Sequence, residues 1–172
     1  MALIPTTILT GFLGAGKTTL LNRILQEPHG FKIAVIENEF GQENIDNEIL
    51  VQDGTEQIVE MNNGCICCTV RGDLIIALTS LAQKRNAGEL QFDHVVIETT
   101  GLANPGPVAQ TFFVDEEVAS EYLVDAIITV VDAKHAMHQL DSYEEAQRQV
   151  GFADKLLFSK TCLLYTSDAA DE

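Results

Sequence analysis

Residues 11–18 read GFLGAGKT, three glycines, a lysine and a threonine in the spacing G-x-x-x-x-G-K-[ST]. The chemistry of that spacing is phosphate binding. Gly11, Gly14 and Gly16 allow the backbone to wrap around phosphates, so that N–H groups from Gly14 through Ala15 and Gly16 to Lys17, Thr18 and Thr19 face the anion at a helix N-terminus. Lys17 is placed to reach the β and γ phosphates, and Thr18 to give its hydroxyl to Mg2+, which takes oxygen ligands. Mg2+ and an attacking water also need positioning near the γ phosphate. Residues 94–101 (HVVIETTG) offer Glu98 at the end of an apolar run for that purpose, and Gly101 for a close backbone N–H. Lys17, Glu98 and Gly101 are therefore the catalytic candidates.

A second constellation lies at residues 62–69, NNGCICCT. In an extended segment alternate residues share a face, so Cys65 and Cys67 fall together and a turn brings Cys68 round. Three thiolates suit a soft or borderline cation such as Zn2+, held tetrahedrally at ~2.3 Å. The fourth ligand must come from elsewhere: Glu37, Glu39, Glu43 or water. Thiolates accept Zn2+, Co2+ and Cu(I) alike. The other readings are buried inert cysteines or a redox pair, the latter requiring a strained C-x-C ring. His135 and His138, at i, i+3, could reach a common ion, but no cysteine or carboxylate motif adjoins them and they read as capping or solvated residues. Asp141, Glu144 and Glu145 read as a solvated helix face.

These residues require strands and helices in alternation. Residues 3–10 are strand-like and run into the glycine loop; Leu20, Leu21, Ile24 and Leu25 then fall at helical spacing over residues 18–26. Residues 32–37 (KIAVIE) form a buried-strand pattern, 38–55 a long acidic loop, and 57–61 a short strand before the cysteines. Leu74, Ala77, Leu78 and Leu81 share a helical face. Residues 94–98 and 126–132 (AIITVVD) are apolar strands, 133–150 helical, and 155–159 a further strand. Apolar strands separated by helices predict an α/β, three-layer P-loop fold: a mostly parallel central sheet with helices on both faces.

Composition sets the outer limits. The 172 residues are 46% hydrophobic and 21% charged, ordinary for one folded domain. Ten basic against 26 acidic residues leave a net charge of −16, which excludes nucleic acid and anionic membrane as bulk partners but not a small anion in a nest of amides. No apolar run approaches the ~20 residues of a membrane span. The segment MALIPTTILTGFLGAGK has no basic residue ahead of its apolar stretch, as a secretory signal would, and a cytoplasmic location is expected.

Together, GFLGAGKTTLL, ENEFG at 37–41, GCICCT at 64–69 and ETTGLANPGP at 98–107 closely resemble the CobW/YjiA family of P-loop GTPases, over essentially residues 3–160. The resemblance implies a GTP-hydrolysing metallochaperone that uses GTP and Mg2+. It would hold Zn2+, Co2+ or another transition metal through Cys65, Cys67 and Cys68, with Glu37 and Glu39 as further ligands, for a client metalloprotein. GTP binding is expected to order residues 38–46 and, through them, the cysteine loop. The family's base-reading signature [NST]-K-x-D is met by Ser159, Lys160 and Thr161, but Cys162 stands in place of its aspartate, and a thiol is a poor acceptor for guanine N–H groups. Weakened guanine selectivity follows.

Residues 1–160 are thus read as the GTPase domain, truncated near its C-terminal end. Residues 161–172 (TCLLYTSDAADE) break the pattern and read as a non-native or disordered tail. Two rival functions fit less well. A small-metabolite kinase with a structural zinc site would need clustered arginines, and Arg23, Arg71, Arg85 and Arg148 are scattered. A non-enzymatic metal-binding module would use nucleotide only to stabilise its fold.

Overall fold

A computed structural model describes residues 2–38, 47–51, 57–61 and 70–164. Its strands are β1 (Ile4–Thr10), β2 (Ile33–Asn38), β3 (Asn47–Val51), β4 (Gln57–Met61), β5 (His94–Thr99), β6 (Tyr122–Asp132) and β7 (Lys155–Ser159). They form one sheet in the order β4-β3-β2-β5-β1-β6-β7. The five strands from β2 to β7 in that order are mutually parallel, while β3 and β4 add an antiparallel edge. The mostly parallel α/β sheet expected from the alternation of apolar runs and helices is the observed one.

Period-two alternation assigns the two faces. Ile8, Ala34, Ile36, Val95 and Ile97 pack with Leu74, Leu78 and Leu81 of α2 (Val70–Asn86) and with Val108, Ala109 and Phe112 of α3 (Pro105–Val114). Their neighbours Leu9, Ile33, Val35 and Val96 point the other way, onto Leu21 of α1 (Lys17–Gln26). A strand buried on both faces needs apolar residues at both parities, hence the near-continuous runs of β2 and β5.

Three segments depart from the sequence reading. Residues 38–55 are not wholly loop, because β3 pairs antiparallel with β2 through Ile36 opposite Ile49 and Val35 opposite Leu50. Five residues with acidic flanks carry little strand signal alone; the free edge of β2 supplies the partner. Residues 105–121 hold α3 and α4 (Glu116–Glu121), which the alternation of apolar runs and helices in the sequence does not predict. Local signals exist there: Asn104 accepts from the Gly106 N–H at 3.0 Å with Pro105 in the first turn, and Asp115 accepts from the Val118 N–H at 3.0 Å. The helical stretch 133–150 is split into α5 (Ala136–Ser142) and α6 (Glu144–Gly151) at Tyr143, whose backbone is extended. A single-turn 3-10 helix, Thr161–Leu164, follows β7; residues 165–172 of the expected tail lie outside the described residues.

Candidate nucleotide and metal site

β1 occupies the switch point of the sheet, with β5 on one side and β6 on the other, and its carboxyl end opens into the glycine loop where such sheets bind ligands. Three glycines there have positive φ: Gly11 at 148°, Gly14 at 71° and Gly16 at 99°. Gly11 has a second reason to be glycine. A Cβ on it would lie 2.3 Å from the Val130 carbonyl oxygen, so the loop starts in contact with the backbone of β6. Ala15 is fully buried, its N–H bonded to Phe12 O at 3.1 Å, and Gly16 caps α1.

Lys17 folds back beneath this loop. Its Nζ donates to Gly11 O at 2.8 Å and to Phe12 O at 3.4 Å, and only 8% of the residue is exposed. Burial lowers its pKa from the ordinary lysine value, an effect the nearby Glu98 carboxylate opposes. A desolvated ammonium with a proton to spare beside a ring of loop amides is a receptor for anionic oxygen. Thr18 and Thr19 stand exposed in the first turn of α1. The Thr18 hydroxyl donates to Glu98 Oε1 at 2.7 Å, while Glu98 Oε2 is buried with no hydrogen-bond partner. A hydroxyl and an unsatisfied carboxylate oxygen side by side are hard donors, and the pair fits Mg2+.

Gly101 lies just past the end of β5, buried, with Leu13 of the glycine loop where its Cβ would be, the nearest atom 2.6 Å away. Lys17, Thr18, Glu98 and Gly101 are thus brought together as the sequence reading expected. Ser159 and Lys160 reach the same neighbourhood by a different use of their side chains. Ser159 Oγ donates to Ala15 O at 2.6 Å, tying the end of β7 to the phosphate loop. Lys160, at φ 56°, places its Nζ 2.8 Å from Asp132 Oδ2. Cys162 is exposed.

Asp132 is the residue the sequence reading passed over. It ends β6 as Glu98 ends β5, an acid closing an apolar strand, and that shared signal was available. Burial alone would raise its pKa, but hydrogen bonds and charge from Lys160 and His135 outweigh this and pull it down to about 2. His135 caps α5 with Nδ1 2.9 Å from Asp132 Oδ2, whereas His138 meets Ser142 and the edge of Tyr143. The two histidines have separate partners, in keeping with capping and solvated roles. Asp141, Glu144 and Glu145 are exposed or half-buried, as a solvated face requires.

Of the candidate transition-metal ligands, Cys65, Cys67, Cys68, Glu39 and Glu43 lie outside the described residues. Glu37 is described. It is the register partner of Glu98 on the adjacent strand, so by alternation both project from the α1 face of the sheet. Among the described residues no group of three or more metal-ligating side chains is clustered, and no helix is long and apolar enough to cross a membrane.

A parallel sheet whose first strand feeds a lysine-bearing glycine loop, with a threonine on the helix and an acid on the neighbouring strand, defines a P-loop nucleotide-binding protein. Residues 5–172 match the CobW/HypB/UreG nucleotide-binding domain. The chain belongs to that family. It is 52% identical over 158 residues to the zinc chaperone YjiA of Escherichia coli, covering 92% of this chain and 49% of that protein. It is 43% identical over 167 residues to the zinc-regulated GTPase metalloprotein activator 1 of Schizosaccharomyces pombe, covering 94% and 40% respectively. The crystal structure of Zn(II)-bound YjiA GTPase from E. coli superposes with a TM-score of 0.74 at 48% identity, over 99% of this chain and 53% of that one. A Zn(II)-bound triple mutant of YjiA, in which one glutamate and two cysteines are replaced by alanine, gives 0.75 at 42% identity, with the same coverage of each chain. The chain therefore spans about half the length of the relatives it matches.

Proposed function

We propose that this chain is the nucleotide-binding part of a GTP hydrolase that couples GTP binding and hydrolysis to delivery of a transition metal, zinc first, to a client protein. The observation that carries the reading is the pairing of Glu37 with Glu98 in register on one face of the sheet. It sets a residue of the metal-ligand set beside a residue of the nucleotide set, one strand spacing of about 4.8 Å away. The strand register extends the same logic. Met61 lies opposite Asn47 at the end of β4, and β3 runs antiparallel to β2, so β4 finishes at the same end of the sheet as the one from which the phosphate loop leaves β1.

In this reading the loop amides of Gly14 and Gly16 and the Lys17 ammonium neutralise the phosphates, the Ala15 N–H being spent on Phe12 O to shape the loop, while Gly101 offers its N–H to the γ phosphate. Thr18 and Glu98 would hold Mg2+, which would supply charge neutralisation to the phosphates. Ser159 fixes the base-side strand against the phosphate loop, and Lys160, steered by Asp132, flanks the base. Cys65, Cys67 and Cys68, with Glu37 and Glu39, take up the metal as cargo. The relatives named as zinc chaperones and the Zn(II)-bound YjiA structure support zinc as the cargo.

The test is a Zn2+ and Co2+ titration in the presence of GDP and of a non-hydrolysable GTP analogue. Coupled sites give affinities that differ by about fivefold or more between the two nucleotides, the usual scale of allosteric coupling. Equal affinities would refute the coupling.

A further inference from the structure

Helix α6 buries only Ala146 and Gln149, and Gln149 is 1% exposed. A primary amide is an expensive group to place there unless its hydrogen bonds are made. Both donors are used: Nε2 reaches Gly101 O at 3.1 Å and Ala103 O at 3.0 Å. Those partners are carbonyl oxygens, which only accept, so the NH2 end of the amide must face them. The backbone of the same residue is held too, since Thr129 Oγ1 donates to Gln149 O at 2.7 Å and fastens α6 to β6. Nearby, the ring of Phe152 lies 2.8 Å from where a Cβ on Gly106 would be. One helix end therefore grips the segment after β5 at both of its ends. That segment is the one pressed against Leu13 of the phosphate loop.

We infer that Gln149 is a positioning residue for γ-phosphate recognition. Its amide holds the 101–102 and 103–104 peptides of a turn that the Ala103 N–H closes onto Thr100 O at 3.1 Å, and through that turn it sets where the adjoining Gly101 N–H lies, making α6 a reporter of the state of the turn. The inference rests on the proposed role of Gly101. Oε1 of Gln149 is buried without a partner, which leaves one acceptor of the fork unused in this arrangement of the turn. GDP has no γ phosphate and is indifferent to the orientation of the turn; a triphosphate is not.

The experiment measures binding of fluorescent GDP and of a fluorescent non-hydrolysable GTP analogue to the full chain, its Gln149→Leu and Gln149→Glu variants, and Gly101→Ala. Leu keeps the volume without donors, and Glu keeps the shape but presents oxygens to oxygens. Both are expected to weaken the analogue about tenfold, the affinity scale of one lost hydrogen bond, and GDP by less than about twofold. Equal losses for both nucleotides, or none, in a folded variant would overturn the inference. If Gly101→Ala alters the preference for the analogue and the Gln149 variants do not, the inference fails alone; if Gly101→Ala is also silent, the reading of Gly101 fails with it. Hydrogen exchange on the unmodified chain gives the second measurement and needs no variant to fold. The analogue, and not GDP, should slow exchange in residues 100–104 and in α6 together, and slowing confined to the turn counts against the role of Gln149.

Discussion

The hydroxyl of Thr18 and the carboxylate of Glu98 meet at 2.7 Å, joining the first turn of α1 to the end of β5 across 80 residues of sequence. The bond spends one carboxylate oxygen and leaves the other buried and unpaired, so the pair is set up for a cation rather than satisfied by itself. Thr18→Val should raise the Mg2+ concentration needed for half-maximal binding of a GTP analogue by about tenfold or more, while lowering stability by about 1–2 kcal/mol for the lost hydrogen bond. Analogue titrations at fixed Mg2+ and urea unfolding check both. An unchanged Mg2+ requirement would remove Thr18 from the cation site.

The glycines of the phosphate loop separate collision from conformation. Gly11→Ala sets a methyl 2.3 Å from the Val130 carbonyl oxygen, in the backbone of a central strand that cannot yield, and should cost about 3 kcal/mol or more. Gly14→Ala meets no atom within 4 Å and bears only its φ of 71°, a cost of about 1–2 kcal/mol. Urea denaturation without nucleotide distinguishes them, and equal losses would mean that the contact with β6 carries no weight.

Asp132 gives a pH signature. Its folded pKa, about 2, lies below its ordinary value of 3.8, so the unfolded chain binds more protons in the interval between them and stability rises with pH there. The contribution is complete above the ordinary value and is lost as pH falls from about 4 to about 2. Asp132→Asn should flatten the stability curve in that window and leave Lys160 without its anion. A curve identical to that of the unmodified chain would show that the Lys160 and His135 contacts do not persist in solution.

The phosphate loop was legible because everything that makes it is local. Gly11, Gly14, Gly16, Lys17 and Thr18 sit within eight residues, between an apolar run and a helical pattern, and the conformation they need is dictated by the absence of Cβ and by one helix start. Glu98 was legible for the same reason, as an acid closing a strand. Asp132 carries the same signal as the acid that closes β6, and only the contacts with Lys160 and His135 reveal its place in the site. For β3 a local signal hardly exists, since its pairing with β2 supplies the stability that five residues cannot generate.

Which side chains share a face and which oxygen meets which proton depended on registers between strands far apart in the chain. Nothing in the run KIAVIE says that Glu37 will stand beside Glu98, because that follows from β2 pairing with β5 instead of with β1. Nothing in EEAQRQVG says that its second glutamine will hold the turn after β5. Residue types and short spacings set the chemistry this chain can perform, through backbone conformation and charge. Packing in three dimensions chose the neighbours, because burial and strand pairing act between segments whose separation along the chain carries no record of the contact.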